Sequence, residues 1–115
     1  MLREWRLYLQ DAIMCCDKAI GYTQGMDRLA FEADQRTYDA VLRNLEILGE
    51  AVRHIPEKVR EAYPQVPWVK IAGLRNILAH AYFGVDNDII WDVLANHIRP
   101  LARELRRIAD GTQME

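Results

Sequence analysis

Arg75-Asn76-Ile77-Leu78-Ala79-His80-Ala81-Tyr82 places an arginine, a histidine and a phenol within eight consecutive positions. An arginine is a permanent cation whose planar fork of donors matches phosphate oxygens. A histidine is the side chain that gains and loses a proton near neutral pH. Asn76 can orient either group, or a ribose hydroxyl, through its amide. The set suits phosphate chemistry. Arg75 would hold a phosphate and steady charge on its equatorial oxygens, and His80 would serve as general base or acid. A metal-independent cleavage of RNA fits these parts, with a 2′-hydroxyl attacking its own phosphate. Asp86 and Asp88 read as helix-capping acids, so no metal cage is expected. Arg-x4-His by spacing alone is a signal of low specificity.

A helix must carry this stretch. With Arg75 at zero and about 100° per residue, Ile71, Leu74, Ile77, Leu78 and Ala81 gather near 260°, the expected core side. The opposite side carries Trp68, Val69, Ala72, Arg75, Asn76, Ala79, His80 and Phe83, and it too is largely apolar. A second apolar face needs a second partner, and the simplest is another copy of the chain. A two-fold homodimer is expected, with Ala72, Ala79 and Phe83 at its interface. On the same wheel Tyr82 lies about 20° from Arg75 and His80 about 140° away. One straight helix does not aim both Arg75 and His80 at one atom. Either the last turn distorts, or groups from two chains meet in a cleft along the dimer seam.

The remaining elements read as a helical frame. Leu2, Trp5, Leu9, Ala12, Ile13, Cys16 and Ile20 fall at helical spacing, and Gly25-Met26-Asp27 marks a turn. A second helix starts near Glu32 to Gln35 with Asp34 as cap and runs to about His54. Tyr38, Val41, Leu42, Leu45, Leu48 and Val52 form its apolar stripe. Gly49 sits on that stripe at a cost of about 1 kcal/mol against alanine, which is best explained by a neighbouring helix passing close. Arg43, Glu46 and Glu50 read as a solvated ion-paired face, and Asn44 is placed to bond to another helix. Pro56 opens a short helix to Tyr63, and the motif helix starts near Trp68. Asp86 and Asp88 start the last helix, whose stripe is Ile90, Val93, Leu94, Leu101, Leu105 and Ile108, with a kink expected at Pro100. Arg99, Arg103, Arg106 and Arg107 line one side of it, read as favourable charge at a helix C-terminus ahead of an RNA-facing strip. The fold class is all-α: an up-down four-helix bundle with one additional short helix, in a single domain over residues 1–115 with a frayed tail after Asp110.

The totals narrow the function. A formal net charge of −2 argues against tight non-specific binding to nucleic acid, and no DNA partner is expected. No apolar run is long enough for a membrane span, and Arg3, Glu4 and Arg6 speak against a signal peptide. Adjacent Cys15 and Cys16 cannot frame a disulfide set and fit a reducing cytoplasm. Cys16 lies on the core stripe, which makes a cysteine nucleophile a weak reading. His54 and His97 lack an accompanying motif and are left as structural.

Arg75-Asn76-x-x-x-His80-x-Tyr82 resembles the Arg-x4-His-x-Tyr signature of HepT-type HEPN domains, the toxin half of HepT–MntA toxin–antitoxin pairs. The stretch Arg43-Asn44-Leu45-Glu46-Ile47-Leu48-Gly49-Glu50-Ala51, with Ile55-Pro56 after it, is similar to the same family, as is Trp68 through Gly84. The likeness covers nearly the whole chain. It implies a HEPN-like helical dimer with Arg75, Asn76 and His80 as catalytic residues in the dimer cleft. It implies a metal-independent endoribonuclease without cofactor, acting on RNA as a toxin. The implied partner is an MntA-like nucleotidyltransferase antitoxin that transfers AMP from ATP to Tyr82. The competing reading is a non-catalytic dimeric module that binds nucleotide or a nucleotidyltransferase, with Tyr82 as acceptor.

Overall fold

The computed structural model describes residues 4–79 and 86–113. Seven α-helices account for most of them: α1 (Trp5–Tyr22), α2 (Arg28–Ala33), α3 (Gln35–Val52), α4 (Glu57–Ala62), α5 (Trp68–Ala79), α6 (Asn87–Asp92) and α7 (Ile98–Gln113). A π-helical turn, Val93–His97, joins the last two into one rod. No strand occurs among the described residues. Four long rods therefore form the bundle, as the apolar spacing indicates. There are two short helices rather than one. The helix α2 escapes a reading by periodicity because six residues hold fewer than two turns. It is fixed by Asp27, whose side chain accepts from the Ala30 N–H at 2.8 Å, and by burial of Phe31.

Several helix starts have a local cause. Asp34 caps α3, accepting from the Thr37 N–H at 3.2 Å and from its hydroxyl at 3.0 Å. Asp86 caps α6, accepting from the Asp88 N–H at 2.9 Å. The turn after α1 uses Gly25 at φ 77°, a backbone state that a side chain would strain. Pro56 occupies the cap position of α4, where its missing N–H costs nothing.

The helix α3 lies between α1 and α5, and α1 also packs on α7. Leu9, Ala12, Cys16, Val41, Leu45, Leu48, Ile90, Leu105 and Ile108 fill the shared core. Gly49 behaves as its position on the stripe implies. A Cβ there would stand 2.9 Å from the carbonyl oxygen of Ile71 and 3.1 Å from the amide nitrogen of Arg75. The backbones of α3 and α5 therefore touch at the centre of the motif helix.

Pro100 leaves its mark upstream. Its missing N–H leaves the Asn96 carbonyl without an α-helical donor, and its ring would crowd that carbonyl. Asn96 lies within the π-turn, where the Ile98 N–H donates to the Val93 carbonyl, five residues back. The wider turn brings residues five apart together: His97 Nε2 lies 3.0 Å from Asp92 Oδ2. Asn96 also donates to Asp92 at 2.8 Å, and these two bonds, Asn96 first, hold the Asp92 carboxyl below its ordinary range.

Candidate functional site

The helix α5 presents three flanks. Ile71, Leu74 and Leu78 are buried in the core, the side expected from the wheel. Next to them Ile77 is partly buried and lines, with Lys70, Ile89, Val93 and Leu101, an apolar cleft of about 750 Å³ between α5 and the α6–α7 rod. The third flank is open: Arg75, Asn76 and Ala79 are exposed, and Val69 is 83% exposed. Ala72 is half-buried against the core cluster, beside the close approach of Gly49.

Trp68 departs from the expected second face. It is 7% exposed, because at the first turn of α5 its indole turns back towards α4. There its N–H donates to the carbonyls of Arg60 at 3.1 Å and Tyr63 at 3.0 Å. That bond removes the polar cost of burying the ring.

Arg75 projects beside α3, and Glu50 meets it. The Arg75 Nε lies 3.0 Å from Glu50 Oε2, with both side chains about half exposed, at 47% and 46%. Glu50 also faces His54, whose Nε2 is 3.5 Å from Oε1. The imidazole of His54 stacks on Tyr8 of α1, ring centroids 4.2 Å apart and planes 12° from parallel. A carboxylate thus bridges the guanidinium of the motif and a second imidazole. Spacing gave no place to Glu50 or His54 in the site, assigning Glu50 to a solvated face and His54 to structure. The usable signal was Gly49, since a helix passing close at 49 also passes the side chain at 50. Among the described residues Asn44 bonds within its own helix, its amide donating to the Ala40 carbonyl at 2.9 Å. His80, Tyr82 and Phe83 lie outside the described residues.

Other candidate groups are occupied. Asp88 pairs with Arg28 at 2.6 Å, in addition to its place in the first turn of α6. Among the described residues no group of three His, Cys, Asp or Glu side chains could hold a metal ion. Cys15 and Cys16 are both buried, and burial first, then Cys15 and Asp17, pushes the Cys16 thiol up to about 12. That thiol is a packing group. In the arginine strip of α7, Arg106 pairs with Asp17 of α1 and Arg107 contacts Glu104 at 3.4 Å. Among the described residues no helix is long and apolar enough to cross a membrane.

Residues 12–108 match the family model described as ribonuclease HepT-like. The chain is similar to a protein of Methanocaldococcus jannaschii named "Putative RNase MJ0127", 39% identical over 113 residues, which is 98% of this chain and 93% of the relative. It is also similar to a Thermococcus cleftensis protein named "Probable ribonuclease HepT", 33% identical over 108 residues, covering 94% of this chain and 98% of the relative. A third relative, the M. jannaschii "Gamma-glutamylcyclotransferase and putative RNase MJ0434", is 33% identical over 110 residues, 96% of this chain but 50% of that protein. No solved structure gives a significant match.

Proposed function

The chain belongs to the ribonuclease HepT-like family, and on that premise we propose that it is a metal-independent endoribonuclease, the toxin half of a toxin–antitoxin pair. The observation that carries this reading is Arg75. It stands on the open flank of α5, half exposed, and among the described residues no acceptor takes a hydrogen bond from it. A cation with uncommitted donors on an otherwise uncharged helix face is what an RNA phosphate needs. In the proposed reaction His80 takes the proton of a ribose 2′-hydroxyl. The 2′-oxygen bonds to the adjacent phosphorus, the bond from phosphorus to the 5′-oxygen breaks, and the protonated His80 returns its proton to the departing 5′-oxygen. Arg75 balances the charge on the non-bridging oxygens, and Asn76 orients the ribose. The products are a 2′,3′-cyclic phosphate and a 5′-hydroxyl. The test is incubation of purified protein with single-stranded RNA in EDTA. Cleavage that leaves cyclic-phosphate ends is expected, and loss of activity on chelation would overturn the mechanism.

The open flank also supports a homodimer. Val69, Asn76 and Ala79 stand at about 120°, 100° and 40° from Arg75, one continuous exposed face with a small centre. A second copy on this face would bring two motif helices together, so that Arg75 and His80 need not converge along one straight helix. Sedimentation at micromolar concentration reads this directly.

We propose further that a nucleotidyltransferase antitoxin silences the site by transferring AMP from ATP to Tyr82. The added phosphodiester would carry about one negative charge close to Arg75 and compete there with RNA. Intact-mass analysis with the cognate partner and ATP should show wild type gaining AMP and Tyr82→Phe none. Equal labelling of both would exclude Tyr82 as the acceptor. The second reading, a non-catalytic module modified at Tyr82, draws on Glu50, which neutralises Arg75. It requires labelling without any RNA cleavage.

A further inference from the structure

Arg75 is presented to solvent with a carboxylate already beside it. The contact with Glu50 has a particular form. The Glu50 side chain is about half exposed, but its Oε2 atom is turned away from solvent and accepts no hydrogen bond, although Arg75 Nε lies 3.0 Å away. The charges attract, but the N–H is not aimed at the oxygen, so the guanidinium keeps its donors. Glu50 itself is held from behind. Its other oxygen faces His54 at 3.5 Å, and the His54 ring is fixed by its stack on Tyr8. The α3 backbone that carries Glu50 lies close against α5, because Gly49 has no side chain to hold it off Ile71 and Arg75. A chain of contacts from α1 through α3 therefore ends on the motif arginine.

We propose that Glu50 is a positioning residue for Arg75. It fixes where the guanidinium stands and partly neutralises it, and it yields the arginine's donors to a substrate phosphate, with His54 and Tyr8 steadying the carboxylate. The proposal rests on the ribonuclease reading above. It has a signature that a merely structural role lacks. A neutral residue at 50 would stop competing with phosphate, so RNA should bind more tightly. It would also stop fixing the guanidinium, so turnover should fall. KM and kcat should therefore both drop, whereas partial unfolding lowers kcat alone.

The test compares wild type, Glu50→Gln and His54→Phe with a single-stranded RNA oligonucleotide. Glu50→Gln should lower KM about two- to fivefold, the range of an exposed ion pair, and lower kcat about tenfold through looser placement. His54→Phe keeps a ring to stack on Tyr8 and loses the contact with Glu50. It should lower kcat in the same direction by a smaller factor. With uncleavable 2′-O-methyl RNA, Glu50→Gln should steepen the fall of log affinity with log salt by about 0.7, one more phosphate charge being met. Unchanged or raised KM together with an unchanged salt slope in Glu50→Gln would overturn the proposal. If wild-type protein cleaves no RNA, the ribonuclease reading fails by itself, and the 2′-O-methyl RNA arm still decides the role of Glu50. Wild-type protein that binds no RNA overturns both.

Discussion

Arg75→Ala should lower RNA cleavage by about 10²- to 10³-fold while leaving helicity and melting temperature close to wild type. The two halves of this expectation come from the same geometry. Arg75 is half exposed, and its contact with Glu50 is one between partly solvated charges, worth about 0–1 kcal/mol to folding. Its removal opens no cavity, because the buried flank of α5 is made by Ile71, Leu74 and Leu78. The catalytic loss is larger because a charge developing on phosphate in the transition state would lose its fixed counter-charge. His80→Ala should show a loss of about 10²- to 10⁴-fold, the range for a positioned proton-transfer group. Single-turnover cleavage alongside thermal melts measures both effects. Full activity in Arg75→Ala, or a melting temperature lowered in step with activity, would remove Arg75 from the chemistry.

Gly49→Ala and Gly73→Ala should change stability in opposite directions. Both glycines lie inside helices, and on propensity alone each change should stabilise by about 0.5–1 kcal/mol. A Cβ at Gly73 meets nothing within 4 Å, so that gain should be realised. At Gly49 the new methyl would press on backbone atoms of Ile71 and Arg75 at 2.9 and 3.1 Å, which cannot rotate away as a side chain would. The helices must part, at an overpacking cost of about 1–3 kcal/mol. The net loss should be roughly 1–2 kcal/mol, a fall in Tm of roughly 5 °C. Because the pressure falls at Arg75, Gly49→Ala should also lower cleavage in the protein that remains folded. Denaturant melts of the two variants decide the matter. A Gly49→Ala protein as stable as Gly73→Ala would mean that α3 and α5 do not touch there.

Each signal in a sequence has a range. Local signals were legible: Asp34 and Asp86 announce their helix starts, and the stripes of α1 and α3 name Leu9, Ala12, Ile13, Cys16, Val41, Leu45, Leu48 and Val52 of the core. Gly49 disclosed one tertiary fact, a helix crossing, because a glycine in mid-helix is costly without such a reason. What lay beyond one helix was not legible. Glu50 and Arg75 are 25 positions apart, and nothing in either segment states that their helices cross with those side chains adjacent. Trp68 misled because an amphipathic wheel assumes that every side chain points straight out, whereas the first residue of a helix can turn back on the preceding segment. Arg75 and Asn76 stand out in the sequence as residue types suited to phosphate, but the neighbours the fold gives Arg75, Glu50 above all, do not.

The π-turn has a consequence for how one rod serves two surfaces. The buried residues Ile90, Leu94, Ile98 and Ala102 are spaced by four each time. In a regular α-helix each such step overshoots a full turn by about 40°, so three steps would swing the stripe by about 120°. The widened turn at Val93–His97 absorbs one residue, about 100° of rotation, and nearly cancels the drift. It works as a phase corrector. Upstream and downstream residues keep the same bearing on the core, while Val93 and Leu101 keep theirs on the cleft beside α5. The bearing of the wall opposite the motif helix is thus set by a single residue of helical count.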